Sequence, residues 1–286
     1  MGAVAYVNGR FVAHGSASVH IEDRGYQFAD GVYEVMAVHN GHMIDLDRHM
    51  TRLDRSLGEL QIAWPVSGAV LRHIMAELIR RNRLIDGIVY LQITRGVAPR
   101  DHAYPEKAKP ALVLTTKRFP PFEIENLSKG VTVVTVEDIR WRRRDIKSIS
   151  LLPNCMGKQV AREAGAYEAW MVEDGFVTEG TSSNAWILSA ENELITRKPN
   201  RDILNGITRI DLVEVAGQMG VPVVERSFTV EEAKAAREAF VTSTTSFVRP
   251  IIKIDDTVIG DGRPGPMGRK LLEGFFDHIA KDTAAQ

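Results

Sequence analysis

The stretch RRRDIKSISLLPN, residues 142–154, threads a lysine through a largely apolar run. Ile146, Ile149, Leu151 and Leu152 surround Lys147, directly after a cluster of arginines. Burying a lysine is costly, because its ammonium must be paired or must lose its proton. If the residues from Lys147 to Leu151 alternate as a strand, Lys147 shares a face with Ile149 and Leu151. That placement predicts a desolvated amine with a lowered pKa, the state that forms Schiff bases. The competing reading is a solvated surface lysine, the usual fate of the residue.

The chain around this stretch has 286 residues, enough for two domains, with 44% hydrophobic and 26% charged residues. A net charge of -1 without long single-sign blocks carries no electrostatic footprint for nucleic acid. The single cysteine, Cys155, excludes an intrachain disulfide framework and fits a reducing compartment. No basic segment followed by an apolar run opens the chain, and no stretch reaches the ~20 apolar residues of a membrane helix. These features predict a cytoplasmic protein acting on something small, with no metal expected.

Asn8-Gly9 and Asn40-Gly41 sit between β-formers and predict hairpins. Apolar residues at helical spacing predict helices over 47–60 and 67–83, with strands following at IVYLQITRG and PALVLTTK. Pro120-Pro121 marks a stiff connector. The expected organisation is a smaller N-terminal α+β domain over 1–117, a linker over 118–122 and a larger domain over 123–286. In the second half, PNCMGK (153–158) reads as a loop, Gly206 to Gly220 as a helix, AFVTSTTS as a late strand and 267–280 as a closing helix.

Several sites invite chemistry. In LNGITR (204–209), Asn205 reads as an N-cap, and the Gly206, Ile207 and Thr208 amides open a helix. Such a terminus suits a phosphate, although a capped helix with nothing bound looks the same in sequence. Thr242 to Ser246 place five hydroxyls in a row, for phosphate oxygens or simply for a turn. Glu179, beside Gly180, either sets a carboxylate against a ligand cation or is exposed. Arg52 flanks the apolar stripe of its helix, reaching inward to a phosphate or snorkelling outward. Arg100 and His102 alternate in a loop stiffened by Pro99 and Pro105, as a carboxylate clamp or as solvated charges. An imine-forming amine, phosphate holders and a carboxylate for a ring nitrogen are together what pyridoxal phosphate requires.

EDRGYQFADGVYEV (22–35), HMTRL (49–53), TRGVAPRDH (94–102), EDIRWRRRDIKSISLLPN (137–154), TEGTSSN (178–184), LNGITR and FVTSTTS (240–246) occur in that order. With these segments the chain resembles D-amino acid aminotransferases of the fold-type IV pyridoxal phosphate group over essentially its whole length. The resemblance implies an α/β (α+β) architecture of two domains with the active site between them. It implies that Lys147 holds pyridoxal 5'-phosphate as a Schiff base and shuttles a proton between substrate Cα and cofactor C4′. Glu179 would keep the pyridine nitrogen protonated, and Arg52, the Ile207 and Thr208 amides and Thr244 would form the phosphate cup. Tyr33 would lie near the substrate carboxylate. Arg100 and His102 would clamp that carboxylate from the partner subunit, making a homodimer the catalytic unit. D-Alanine and 2-oxoglutarate are the substrates the resemblance implies, with ping-pong kinetics.

Branched-chain L-aminotransferases, (R)-amine transaminases and aminodeoxychorismate lyases resemble the same pattern at the lysine, glutamate and phosphate cup. The Arg100-Asp101-His102 loop favours the D-specific relatives. Phe247, Arg249 and the run Arg142 to Arg144 depart from those relatives, with consequences expected in the side-chain pocket or the preferred acceptor.

Overall fold

In the computed structural model, which describes residues 3–284, the chain divides into two compact units. The first takes the residues up to Phe122 together with Ile146–Ser150, and the second takes Glu123–Asp145 and the residues from Leu151 on. Residues 118–122, expected as a linker, go with the first unit, and Arg118 still belongs to a strand.

The first unit comprises β1 (Val4–Val7), β2 (Arg10–Ala13), α1 (Arg24–Phe28), β3 (Gly31–His39), β4 (His42–Met43), α2 (Leu46–Glu59), α3 (Gly68–Asn82), β5 (Gly87–Thr94) and β6 (Ala111–Arg118). Its sheet has the order β2-β1-β6-β5-β3-β4. Both Asn-Gly pairs turn hairpins with positive φ at each central residue, 44° and 94° at Asn8-Gly9 and 51° and 84° at Asn40-Gly41. Alternation sorts β3 into two faces. Val32, Glu34, Met36 and Val38 are buried, whereas Tyr33 and Val35 are half-buried. The buried face joins a core with Leu53 and Leu57 of α2 and Leu71, Met75 and Leu78 of α3. Each such aliphatic side chain contributes about 1.5–3 kcal/mol on burial. Ser67 caps α3 by accepting from the Val70 amide, and Arg83 ends it in the left-handed region.

The second unit runs α4 (Ile124–Leu127), β7 (Val131–Glu137), α5 (Leu152–Glu163), β8 (Glu168–Glu173), β9 (Phe176–Gly180), β10 (Asn184–Leu188), β11 (Leu194–Thr196), α6 (Ile207–Gln218), β12 (Val223–Glu225), α7 (Val230–Lys234), β13 (Glu238–Ser243), β14 (Phe247–Ile254), β15 (Thr257–Val258) and α8 (Pro266–Ala284). Its sheet orders β12-β11-β10-β13-β14-β7-β8-β9, with β15 on β14. Trp170, Ile187, Phe228 and Val241 anchor its core.

Two local expectations are corrected. Residues 153–158 are not a loop but the start of α5, because Pro153 occupies the first turn, where its missing N–H costs nothing. Gly157 is there for contact rather than for a turn: a Cβ on it would lie 3.0 Å from Thr181 Cγ2. The strand expected through Lys147 also fails to form. Residues 146–150 make a single bridge, Ser148 to Val32, and the Ser148 amide turns back to Ile146 O at 2.8 Å, which curls the backbone. Ile146 and Ser148 take the buried positions, and Lys147 and Ile149 are half-buried.

Candidate functional site

Lys147 is fixed by its backbone to the start of β3. The Tyr33 amide donates to Lys147 O at 3.0 Å, and the Ile149 amide donates to Gly31 O at 3.1 Å. So close an approach needs Gly31, whose Cβ would lie 2.7 Å from Ile93 O and 3.0 Å from Ile149 Cδ1. The Lys147 Nζ stands 4.3 Å from the centroid of the Tyr33 ring. That ring stacks on Tyr90 at 5.8 Å and 28°. Burial, reinforced by neighbouring Tyr33, pushes the Tyr90 hydroxyl up to about 12, and it stays protonated to donate to Gln92 Oε1 at 2.7 Å. Among the described residues no carboxylate pairs with Lys147. The result is a half-buried amine on an aromatic ledge without a counter-charge.

Arg52 turns inward to the Glu34 carboxylate. Its Nε and Nη2 donate to Glu34 Oε1 and Oε2 at 2.7 and 2.8 Å. His49, three residues earlier and therefore on the same face of α2, meets Glu34 Oε2 at 2.7 Å.

Glu179 is buried, not exposed. Arg140 Nη1 donates to its Oε1 at 2.5 Å, Asn184 Nδ2 to its Oε2 at 3.0 Å, and the Leu204 amide to both oxygens at 3.2 and 3.1 Å. Burial pushes the Glu179 carboxyl up, while Arg140 and the Leu204 amide pull it back. Burial works against the Arg140 charge, but the Glu179 and Asp138 carboxylates hold its pKa above the ordinary value. Asn184 Nδ2 also donates to Leu204 O at 2.8 Å, so one amide ties the carboxylate to the segment leading into α6. The N-cap of α6 is Gly206, not Asn205, and no side chain caps it. Asn205 instead accepts from Arg209 Nη1 at 3.3 Å, leaving the Ile207 and Thr208 amides to open the helix uncapped.

The hydroxyl run splits between strand and turn. Thr242 is buried and accepts from Trp186 Nε1 at 2.9 Å, and β13 ends at Ser243. Thr244 to Ser246 form the turn, closed by a 2.7 Å bond between Ser243 Oγ and Ser246 Oγ. Thr244 is half-buried in that turn.

The loop bearing Arg100 and His102 is strongly held. Buried Arg24 donates to Asp101 O at 2.5 Å and His102 O at 3.3 Å, and its Nε pairs with Asp30 at 2.8 Å. Buried Arg95 pairs with Asp30 at 2.7 Å, and its guanidinium lies 3.6 Å from the Tyr104 ring centroid. Arg100 and His102 are both exposed, and both lie against Phe28, at 4.6 and 5.4 Å. Among the described residues neither forms an ion pair.

The departures are absorbed locally. Phe247, at φ 48°, packs on Phe275 and Phe276 of α8, and Arg249 donates to Asn126 O at 3.1 Å. Arg143 pairs with Asp145, and buried Arg144 pairs with Glu173. Sequence reasoning missed Glu34, His49, Asp138, Arg140 and Asn184. Only Glu34 left a trace, as a charge at an inward position of an alternating strand.

The model of the family described as amino-transferase class IV matches residues 31–254. A D-alanine aminotransferase of Bacillus licheniformis is 42% identical over 277 residues, 97% of either chain. One from Staphylococcus aureus (strain N315) is 41% identical over 276 residues, covering 96% of this chain and 97% of that one. Among solved structures, a branched-chain amino acid aminotransferase from Escherichia coli superposes with a TM-score of 0.87 over 98% of this chain and 95% of that chain. At 21% identity that likeness speaks for the fold alone.

Proposed function

The chain belongs to the class IV aminotransferases, and from that premise we propose that it transfers the amino group of a D-amino acid, D-alanine foremost, to a 2-oxo acid such as 2-oxoglutarate through pyridoxal 5'-phosphate. The observation that carries the donor assignment is the full-length likeness, at 42% identity, to a D-alanine aminotransferase.

The residues present suit this cofactor. Glu179 is a buried carboxylate already gripped by a permanent cation and two further N–H donors, fit to face a protonated ring nitrogen. The α6 terminus offers uncapped amides, and a Cβ at Gly206 would sit 2.2 Å from Asn184 Oδ1, so the backbone there is kept bare. Arg52, the Ile207 and Thr208 amides and Thr244 would hold the phosphate. Pyridoxal phosphate supplies, when bound, the electron sink that makes the substrate Cα proton acidic.

Lys147 Nζ would hold the cofactor and would be the base that takes the substrate Cα proton and delivers it to C4′. Among the described residues no carboxylate pairs with Lys147, which leaves its nitrogen available for both tasks. Tyr33, beneath that nitrogen, orients the substrate near its carboxylate. Product leaves before the acceptor enters, so the kinetics are ping-pong.

Arg100 and His102 clamp the substrate carboxylate in the partner subunit of a homodimer. The reading is supported by their exposure on a loop that Arg24 and Arg95 hold rigid. It is also supported by α5, which lays Gly157 and Ala161 inward and leaves Leu152, Met156 and Val160 exposed at four-residue spacing. Such an apolar stripe is what a subunit contact covers. The single cysteine supports a cytoplasmic location, and no helix among the described residues is long and apolar enough to cross a membrane.

The test is an absorbance titration of the holoenzyme, without acceptor, by D-alanine, L-leucine and (R)-1-phenylethylamine in turn. The visible cofactor band is expected to fall with D-alanine alone. A response confined to L-leucine or to the amine overturns the D-specific assignment, and silence towards all three overturns the transaminase.

A further inference from the structure

Glu34 is a charge where the sheet has no evident need of one. It lies 1% exposed in the middle of β3, on the face that packs against α2 and α3, among Val32, Met36 and Val38. Burial alone would raise its carboxyl, but Arg52 and His49 overcome it and hold the group far below the usual carboxylate range. Burial keeps His49 neutral, so its Nδ1–H is the donor to the ionised Glu34 Oε2. Among the described residues the hydrogen bonds to the carboxylate converge: Oε1 takes Arg52 Nε, and Oε2 takes both Arg52 Nη2 and His49 Nδ1. Buried ion pairs of this kind are often no more stabilising than apolar residues of the same shape. Geometry, then, is what the pair supplies.

Arg52 is gripped along one edge of its guanidinium, Nε to Nη2, and the Nη1 edge is turned away from Glu34. The fork is planar and rigid, so fixing one edge fixes the other. With Glu34 ionised the pair carries no net charge. What Arg52 brings to a phosphate is therefore aimed N–H groups more than an excess of positive potential. We propose that Glu34 is the positioning residue for Arg52, setting the guanidinium edge that meets the cofactor phosphate, with His49 pinning the carboxylate in place. The inference rests on the assignment of Arg52 to the phosphate.

The test compares pyridoxal 5'-phosphate with pyridoxal, which lacks the phosphate. The full chain, stripped of cofactor, is titrated with each and followed by the visible band. Glu34→Gln is expected to weaken pyridoxal 5'-phosphate about tenfold or more, the loss of one or two charge-assisted bonds, and to change pyridoxal less than about twofold. Arg52→Lys, which keeps the charge but loses the fork, is expected to do the same. Glu34→Gln added to Arg52→Lys is expected to cost nothing more. Glu34→Asp, which keeps the charge and shifts the grip, should lower the same ratio, and it serves where Glu34→Gln does not fold. Equal loss of both ligands, or of neither, in the Glu34 variants overturns the proposal and leaves Glu34 as a strut between β3 and α2. An unchanged ratio in Arg52→Lys shows instead that Arg52 does not hold the phosphate, and both assignments then fall.

Discussion

At the scale of single residues, the buried triad makes stability depend on pH. His49 is 2% exposed, and burial lowers its pKa from the ordinary value, with Arg52 adding to the effect and Glu34 and Asp45 opposing it. The unfolded chain binds a proton at His49 below about pH 6.5, whereas the folded chain resists it. The contribution is therefore fully present above about pH 6.5 and is lost as the pH falls towards the folded-state value. Glu34, with its depressed carboxyl, adds a second loss at lower pH, beginning near the ordinary carboxylate range. The melting temperature should decline between about pH 7 and 5.5, and His49→Gln should flatten that part of the curve while leaving the more acidic limb. Thermal melts across that range check it, and parallel curves would assign the decline to other groups.

At the scale of elements, the α6 terminus is the most tightly specified piece. Gly206 has φ -65°, which any residue adopts, so its reason for being glycine is contact and not backbone freedom. Alanine there would press on Asn184, which holds both Glu179 and Leu204. Gly206→Ala should cost about 1–3 kcal/mol of stability by overpacking and should speed cofactor release. Denaturant midpoints and release rates measure both, and wild-type values in each would mean that Asn184 yields freely. Elements are legible in the sequence where the signal is local: Asn-Gly turns and the apolar stripes of α2 and α3. Pro153 reads as a break because a proline at a helix start and one in a loop look alike until the next turns are seen. Arg140, Asp138 and Asn184 escape because their meaning lies in partners up to 40 residues away, with no periodicity to announce them. Lys147 is recognisable from its apolar neighbours, although the segment bridges only once and the burial falls on Ile146 and Ser148.

At the scale of the whole molecule, neither unit is a continuous piece of chain. The segment Ile146–Ser150 completes the first unit from within the sequence of the second. A fragment ending at Phe122 should therefore carry a β3 that still pairs with β5 but whose start lacks the bridge to the Lys147 segment. Its Tyr33 amide, bonded to Lys147 O in the intact chain, should exchange with solvent far faster in the fragment, whereas the Leu91 amide in the middle of β5 should stay protected. Hydrogen exchange read at those two amides decides it, and equal protection of Tyr33 in fragment and full chain would refute it. The same layout has a consequence for synthesis. A chain leaving the ribosome folds from its N-terminus, but this first unit cannot close its last bridge until the lysine segment has emerged. The Lys147 segment is thus the final piece set into a nearly finished first unit, and a chain cut short before it exposes an open β-strand edge for quality control to find.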